Sequence, residues 1–392
     1  MNHVVVVGAG LAGVRSVEAL RARGFGGTIT LLGEEQHRPY DRPPLSKGVL
    51  IGKTDSTIVD SDLDALEIDF RPGVSAKGLH TGVVETTEGE LAYDGLVVAT
   101  GARPVRLRGD GPQHVLRTID DALALRALLT EGARVAVIGA GWIGAEVATA
   151  ARKAGSTVTV VEAASFPLAT ALGSVGAHTA SWYAQADVDL RLGVTVASVD
   201  QGGLTLGDGS AVEADVVVTG VGVRPAVEWL AGSGIALDNG VVTDEHLRTS
   251  LPDVVAVGDC AAWWSRRYGR RLRVEHWDTA LGAPDVAVAA LLGADAVYDP
   301  VPYFWSEQFD NMVQYAGYHD GARLVLRGDP AAGGKANWGA CWTNEDDTLA
   351  AVLAVNRPRD LLQGRRLIEG GQRLDVHRLA DPAVALRDCT VA

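Results

Sequence analysis

The sequence repeats one plan twice: a valine-rich stretch, a glycine cluster, a helix-compatible stretch and a second apolar stretch that ends near an acidic residue. The first copy spans residues 4–35 and the second spans residues 135–163. Continuous apolar runs of this kind are typical of parallel strands buried on both faces. Each copy therefore predicts a βαβ unit, and together they predict an α/β protein with two doubly wound dinucleotide-binding domains.

Three further apolar runs stop at or next to a glycine and predict strands that complete the two sheets. They occupy residues 96–101, 216–220 and 254–259. The third run follows the second βαβ unit but resembles the end of the first sheet, so we expect one domain to be inserted into the other. The expected division is a first domain in two parts (1–110 and 235–317), an inserted domain (111–234) and a C-terminal domain (318–392).

The pattern of the chain changes beyond residue 317. Residues 322–327 alternate between apolar and other side chains, and residues 339–355 are typical of two strands joined by a polar turn. Residues 356–368 are compatible with a helix that starts near Pro358. The C-terminal region therefore predicts a small antiparallel α+β domain without a glycine cluster of its own.

Charge and cysteine content exclude several classes of function. The 35 basic and 49 acidic residues give a net charge of −14, which disfavours binding to nucleic acid or to anionic membranes. The apolar runs are shorter than the roughly 18 residues that a membrane-spanning helix needs. Cys260, Cys341 and Cys389 form no closely spaced pair, and the histidines do not cluster, so neither a disulfide framework nor a metal site is expected. With no leader-like N-terminus, these features favour a cytoplasmic protein.

The first glycine cluster has the G-x-G-x-x-G spacing of a dinucleotide-binding loop. Gly8, Gly10 and Gly13 lie between the predicted strand and helix, where glycine permits a tight turn and close approach of a pyrophosphate to the helix N-terminus. Glu34 ends the second strand, where a carboxylate can accept hydrogen bonds from a ribose diol. The alternative is a glycine-rich turn that binds no ligand.

The second cluster repeats this arrangement with Gly139, Gly141, Gly144 and Glu162. An acid at the end of the second strand favours a free ribose 2′-hydroxyl. Residues 163–165 contain no arginine that would attract a 2′-phosphate. The sequence therefore predicts a second nucleotide site that prefers NADH to NADPH.

Six short motifs carry a resemblance to a known family. They are RPPLSK (42–47), ATGARP (99–104), LRT (116–118), VGDC (257–260), EHW (275–277) and YFWSEQ (303–308). Over nearly its whole length, the chain resembles the FAD-dependent ferredoxin reductases of bacterial oxygenase systems. The resemblance implies that the first domain binds FAD and that the inserted domain binds NADH.

The resemblance also implies individual roles. Beyond the glycines of the loops, the residues expected to contact FAD are Ala12, Glu34, Lys47, Val74, Thr100, Gly101, Arg117, Gly258, Asp259 and Trp277. Ile143 and Gly222 are expected to join the second loop in binding the nicotinamide nucleotide. Lys47 and Glu146 are expected to pair beside the flavin N5 and to act as catalytic residues. Without the resemblance, an exposed lysine and a helix-surface acid are equally good interpretations.

The lack of cysteine in one segment indicates that electrons leave the flavin directly, without a thiol relay. Residues 41–47 contain no cysteine, so the thiol relay of flavoprotein disulfide reductases has no counterpart there. Cys260 is expected to be a small buried residue rather than a redox group.

The resemblance implies an iron–sulfur ferredoxin as electron acceptor, which in turn serves a haem-thiolate monooxygenase or a ring-hydroxylating dioxygenase. The arginines of residues 266–273, with Arg365 and Arg366, offer a basic docking patch for an acidic partner, and a solvated basic loop is the alternative. Two other functions stay open: an NADH reductase for rubredoxin or another carrier, and a redox-sensing flavin-binding protein.

Overall fold

The computed structural model describes residues 1–332 and 335–391. By its internal contacts the chain divides into two units, each built from three separate segments. The first unit comprises Met1–Asp41, Ser56–Arg103 and Val223–Pro302, and the second comprises Arg42–Asp55, Pro104–Gly222 and Tyr303–Ala392.

The strands are short, and most of them belong to sheets of three to five strands. In chain order they are β1 (His3–Val7), β2 (Thr28–Gly33), β3 (Asp69–Pro72), β4 (Ala76–His80), β5 (Val83–Thr86), β6 (Gly89–Ala92), β7 (Gly95–Val98), β8 (Ala102–Pro104), β9 (Arg134–Ile138), β10 (Thr157–Glu162), β11 (Val188–Leu192), β12 (Val196–Asp200), β13 (Gly203–Leu206), β14 (Ala211–Glu213), β15 (Val216–Thr219), β16 (Val223–Pro225), β17 (Val241–Val242), β18 (Val254–Ala256), β19 (Ala261–Ser265), β20 (Arg270–Leu272), β21 (Tyr303–Gln308), β22 (Asn311–Gly317), β23 (Arg323–Arg327), β24 (Trp338–Thr343) and β25 (Leu349–Val355).

The α-helices are α1 (Leu11–Ala22), α2 (Ile119–Leu128), α3 (Trp142–Lys153), α4 (Ala169–Leu172), α5 (Ala180–Gln185), α6 (Trp277–Leu291), α7 (Pro358–Gly370) and α8 (Val376–Ala380). Leu45–Val49 forms one π-helical turn, and short 3₁₀ turns include Gly258–Cys260. Within the described residues, none of the helices has both the length and the apolar character needed to cross a membrane.

The first unit is built on a parallel sheet with the strand order β18-β7-β1-β2-β3. Its central strand β1 contributes four valines that are at most 4% exposed, as the continuous apolar run predicts. Strand β18 pairs with β7 although more than a hundred residues separate them, because the segments of the second unit intervene. Helices α1 and α6 pack together on this sheet through Leu11, Val14 and Leu281. The sequence prediction of a doubly wound sheet is confirmed.

The second unit contains a parallel sheet with the order β11-β10-β9-β15. Helix α3 follows β9 and precedes β10, which completes the second predicted βαβ unit. The antiparallel sheet β12-β13-β14 packs on it through a core that includes Val199, Leu204 and Val217. Sequence analysis did not predict this small sheet or its counterpart β4-β5-β6 in the first unit, because their short strands are half exposed and their period-2 pattern is weak.

The second unit ends in an antiparallel sheet with the order β21-β22-β25-β24-β23. Helix α7 packs on β25, where a Cβ on Gly364 would lie 2.7 Å from the Val352 side chain. This sheet begins at Tyr303, so the boundary predicted after residue 317 cuts through it. The change of pattern at Gly317 coincides with the end of β22. The predicted helix at 356–368 is found at Pro358–Gly370, with proline at its start and Gly371 in the left-handed conformation after its end.

Candidate functional site

The first glycine loop joins β1 to α1, and two of its glycines are required by the protein itself. Gly8 has φ 111°, and a Cβ there would lie 2.2 Å from the Ala99 carbonyl oxygen. A Cβ on Gly13 would lie 1.9 Å from the Gly8 carbonyl oxygen. A Cβ on Gly10 would meet nothing within 4 Å. The loop is therefore packed on one side and open at Gly10, where a pyrophosphate can approach the start of α1.

The second glycine loop, between β9 and α3, repeats this geometry. Cβ atoms on Gly139 and Gly144 would lie 2.5 Å and 1.9 Å from backbone carbonyl oxygens, whereas one on Gly141 would meet nothing within 4 Å. Glu162 holds the loop, since its Oε2 accepts a hydrogen bond from the Ala140 amide (2.7 Å) and its Oε1 accepts one from the Ala164 amide (2.8 Å). This unit therefore has a second glycine loop that is open at its middle glycine, as the predicted nucleotide site requires.

Exposed apolar side chains lie beside the second loop. Ile143, in the first turn of α3, is 41% exposed, and Val221, whose amide nitrogen lies near Gly139, is 40% exposed. Gly222 follows with φ 107°, a conformation that favours glycine, and its carbonyl accepts a hydrogen bond from the Val105 amide (3.0 Å). Such a surface can hold an aromatic ring, which fits the predicted nicotinamide nucleotide.

The first unit contains a cavity of about 490 Å³ at the carboxyl ends of its parallel strands. It is lined by four residues that sequence analysis assigned to FAD: Gly8, Glu34, Val74 and Thr100. Ligands of open α/β sheets bind at this edge. The predicted residues therefore come together around one cavity, although they are spread over residues 8–100.

Sequence analysis assigned no role to the other residues that line this cavity, among them Arg103 and Trp229. Arg103 Nη2 donates to both carboxylate oxygens of Glu34 at 2.9 Å, which orients the carboxylate at the mouth of the cavity. The Trp229 Nε1 is buried and finds no acceptor among the described residues. Arg103 lies in the ATGARP motif, which could have drawn attention to it, whereas Trp229 lies in none of the six motifs.

Asp259 lies in the 3₁₀ turn Gly258–Cys260, which packs against the start of α1. Gly258 has φ 71°, and a Cβ there would lie 3.1 Å from the Ala12 Cβ. Trp277 begins α6, and its Nε1 donates to Asp41 Oδ1 at 3.0 Å. Burial lowers the pKa of the adjacent His276 to about 4. Thus Ala12 and Gly258, far apart in sequence, are in contact, as the prediction of a shared site requires.

Lys47 and Glu146 form the predicted pair. Lys47 lies in the π-helical turn Leu45–Val49, and its Nζ is 2.9 Å from Glu146 Oε2 in α3. Glu146 is only 3% exposed, and burial of a carboxylate is costly unless donors surround it. The hydroxyls of Ser46 and Ser306 also donate to Glu146. Sequence analysis did not assign roles to these serines, although both lie in quoted motifs.

Arg117 lies before α2 in the second unit. Its amide donates to Asp121 Oδ2 (3.1 Å), and its carbonyl accepts a hydrogen bond from Arg42 Nη1 (2.5 Å). The neighbouring Thr118 caps α2. These contacts fix the backbone at Arg117, and the assignment of its side chain to FAD stays a prediction.

The arginines proposed as a docking patch are largely engaged within their own units. Arg266 pairs with Glu245 (2.8 Å), and Arg271 donates to the carbonyls of Thr243 and Ala262. Arg365 lies over the Tyr303 ring, with its guanidinium carbon 5.8 Å from the ring centroid. These contacts support a structural role for the arginines, and docking to a partner stays a prediction.

The three cysteines are buried and unpaired. Burial raises the pKa of the Cys260 thiol, and it raises that of Cys341 to about 12. Thiols with raised pKa values are protonated at neutral pH and are poor nucleophiles. A relay of electrons through these groups is therefore disfavoured.

Comparisons with known proteins agree with this geometry. Residues 2–283 match the family model of the pyridine nucleotide-disulphide oxidoreductases, and residues 303–390 match the reductase C-terminal domain. The chain is 40% identical to the ferredoxin–NAD(+) reductase component of the anthranilate 1,2-dioxygenase system of Burkholderia cepacia, across 98% of each chain.

Two solved structures are similar over almost their entire length. The crystal structure of Fdr9 is 49% identical, with a TM-score of 0.94 over 98% of this chain and 99% of that chain. Putidaredoxin reductase in its covalent complex with putidaredoxin is 33% identical, with a TM-score of 0.93 over 99% of this chain and 98% of that chain.

Proposed function

This chain belongs to the pyridine nucleotide-disulphide oxidoreductase family, and on that premise we propose that it is an FAD-dependent ferredoxin reductase. It takes a hydride from NADH and delivers the electrons singly to an iron–sulfur ferredoxin. The ferredoxin serves an oxygenase, either a haem-thiolate monooxygenase or a ring-hydroxylating dioxygenase.

The observation that carries this proposal is the end-to-end likeness to a ferredoxin–NAD(+) reductase component, which extends through the C-terminal domain. Two open glycine loops and the absence of cysteine from residues 41–47 support it. Together they fit a flavoprotein that binds two dinucleotides and releases electrons without a thiol.

In the first unit, the loop at Gly10 and the N-terminus of α1 bind the FAD pyrophosphate, and Glu34 accepts hydrogen bonds from the adenosine ribose. Trp229 adds an aromatic side chain to the cavity wall. Bound FAD can accept two electrons together from a hydride donor and release them one at a time to a one-electron acceptor.

In the second unit, the loop at Gly141 binds the NADH pyrophosphate. The Glu162 carboxylate accepts hydrogen bonds from the ribose hydroxyls. A carboxylate at this position repels a 2′-phosphate, which favours NADH over NADPH. Lys47 holds a positive charge against Glu146 Oε2, and we assign this pair to hydride transfer.

The division of the chain into an FAD domain, an inserted NAD domain and a C-terminal domain is part of this proposal. The C-terminal boundary is placed before Tyr303, where the antiparallel sheet begins. A cytoplasmic location is also proposed, since three buried, unpaired cysteines suit a reducing compartment.

The test is anaerobic reduction of the purified holoenzyme by NADH, followed by addition of an oxidised 2Fe–2S ferredoxin. One NADH is expected to bleach the flavin and then to reduce two ferredoxins, because each ferredoxin accepts one electron. Rapid reduction of rubredoxin with none of ferredoxin would move the assignment to another carrier. A reduced flavin that no carrier reoxidises would favour a redox-sensing protein.

A further inference from the structure

The buried hydroxyl of Ser306 lies against the carboxylate of Glu146 and on the opposite oxygen from Lys47. We propose that Ser306 is a positioning residue for Glu146, so that strand β21 of the C-terminal sheet controls reduction by NADH. The inference rests on the proposed function and deepens it, because it assigns the C-terminal domain a role in the NADH half-reaction.

A chain of hydrogen bonds leads to the carboxylate from β21. Gln308 Nε2 donates to Ser306 Oγ at 3.1 Å, and Ser306 Oγ donates to Glu146 Oε1 at 2.6 Å. Ser306 and Gln308 are both 0% exposed and Glu146 is 3% exposed, so water does not replace these donors. The serine and glutamine of the YFWSEQ motif thus have a common purpose, which is to hold one oxygen of Glu146.

The two oxygens of Glu146 have separate partners. Oε2 accepts from Lys47 Nζ and from the Ser46 hydroxyl, whereas Oε1 accepts from Ser306. Without the Ser306 hydroxyl, the one donor to Oε1 that remains among the described residues is the Glu307 amide at 3.4 Å. The carboxylate can then rotate about its terminal torsion, which is soft, and the Lys47 contact loses its fixed direction. Preorganised charge is effective in catalysis because it needs no rearrangement during the reaction.

One face of α3 is attached to β21 and to the turn that follows it. Thr149 Oγ1 accepts a hydrogen bond from the Phe309 amide (3.0 Å), and Lys153 Nζ is 2.8 Å from Asp310 Oδ1. The spacing from Glu146 to Thr149 and Lys153 places all three on the same side of the helix. The Glu146 contact is therefore one part of a continuous attachment between helix and strand.

The turn that makes these contacts has a demanding conformation. Phe309 and Asp310 have φ values of 47° and 62°, the positive values of a type I′ hairpin that usually require glycine or asparagine. The Phe309 ring packs 4.7 Å from the Tyr183 ring, centroid to centroid. Such a conformation persists when the surroundings fix it. Its position against α3 gives β21 a defined register relative to Glu146.

The test compares Ser306→Ala with wild-type holoenzyme in anaerobic stopped-flow reduction by NADH. Loss of a hydrogen bond to a charged group predicts a limiting rate of flavin reduction about tenfold lower. The dissociation constant for NADH is expected to stay within about twofold, because Ser306 is not placed in the nucleotide loop. An unchanged limiting rate would overturn the inference.

A double-mutant cycle with Glu146→Ala separates positioning from general stabilisation. Ser306→Ala is expected to have no further effect in the Glu146→Ala background, since its action passes through that carboxylate. A further tenfold loss in that background contradicts the proposed role. Thr343→Val is the matched control, because it removes another fully buried hydroxyl of the same sheet and is expected to leave the rate unchanged.

If Ser306→Ala fails to fold, a pair of variants whose new side chains have the same shape as each other keeps the test decisive. Ser306→Thr retains the hydroxyl and is expected to stay within about threefold of wild type, whereas Ser306→Val is expected to lose about tenfold. Equal rates for these two variants would contradict the inference. If NADH does not bleach the wild-type flavin at all, the proposed function fails and the inference fails with it. If wild type is reduced normally and Ser306→Ala matches it, only the inference fails.

Discussion

Arg327 forms a buried ion pair with Asp360, with 2.8 Å between Arg327 Nε and Asp360 Oδ2 and side chains that are 1% and 9% exposed. The same guanidinium donates to the carbonyls of Leu379, Asp381 and Val384. Arg327 therefore connects β23 to α7 and to the last segment of the chain. Every donor nitrogen of this side chain has an acceptor, as a buried cation requires.

Arg327→Met is expected to destabilise the C-terminal sheet by about 3 kcal/mol, because three carbonyls lose their donor and Asp360 keeps Arg357 but loses its second cationic partner. This corresponds to a decrease of about 6–12 °C in the midpoint of its thermal transition, measured by scanning calorimetry. Arg323→Met is the control, since Arg323 lies on the same strand but its pair with Asp347 is largely exposed and is worth less than about 1 kcal/mol. Equal effects of the two substitutions would contradict the assigned role.

Gly10→Ala and Gly141→Ala separate the two nucleotide sites. Both glycines have φ −77°, which alanine adopts without strain, and neither Cβ meets protein atoms. Gly10→Ala is expected to yield a folded protein that loses FAD, measured as the ratio of flavin to protein absorbance. Gly141→Ala is expected to keep FAD and to raise the dissociation constant for NADH at least about tenfold, since the methyl group occupies the space of the pyrophosphate. Retention of full FAD by Gly10→Ala would remove this loop from the FAD site.

Thiol alkylation of the native holoenzyme is expected to leave electron transfer unchanged. The raised pKa values of Cys260 and Cys341 keep both thiols protonated at pH 8, and their burial blocks the reagent. The measurement is NADH-driven ferredoxin reduction after treatment with iodoacetamide. Mass spectrometry of the denatured protein, where all three cysteines become reactive, supplies the control. Rapid inactivation of the native protein would support the participation of a cysteine in electron transfer.

His276 is expected to make the first unit sensitive to acid. Burial lowers its pKa from 6.5 to about 4, so the unfolded chain takes up a proton at a pH where the folded chain does not. The stability that depends on neutral His276 is present above pH 6.5 and is lost as the pH falls towards 4, by about 3 kcal/mol in total. Heating curves of FAD release at pH 7 and pH 4.5 measure this effect. The difference is expected to shrink in His276→Gln and to persist in His80→Gln, where the histidine is exposed.

The parallel sheets were predictable because their signal is local and strong. Val4–Val7 and residues 135–138 are uninterrupted apolar runs, each followed at once by glycines whose spacing has a steric reason. The pairing of Lys47 with Glu146 was predicted from the family resemblance. Spacing alone gives no reason to pair two residues that are 99 positions apart. The roles of these two residues in catalysis stay predictions.

Other features depend on contacts that no sequence window contains. Ser306 and Arg103 were visible in the motifs, but their partners Glu146 and Glu34 lie far away in the chain. The hairpin turn at Phe309 and Asp310 has no glycine, so no local signal in the sequence marks the turn between β21 and β22. In each case the tertiary contact overrides the local preference.

The pairing of β18 with β7 sets an order of events during synthesis on the ribosome. Strand β7 keeps an unpaired edge until residues 254–256 leave the exit tunnel, and the segments that precede them can already form the sheet β11-β10-β9-β15. Unpaired edges of apolar strands are prone to aggregation. The nascent chain therefore exposes the unpaired edge of β7 throughout the translation of more than a hundred codons. Expression at low temperature, or with a chaperone that binds extended segments, is expected to raise the soluble yield.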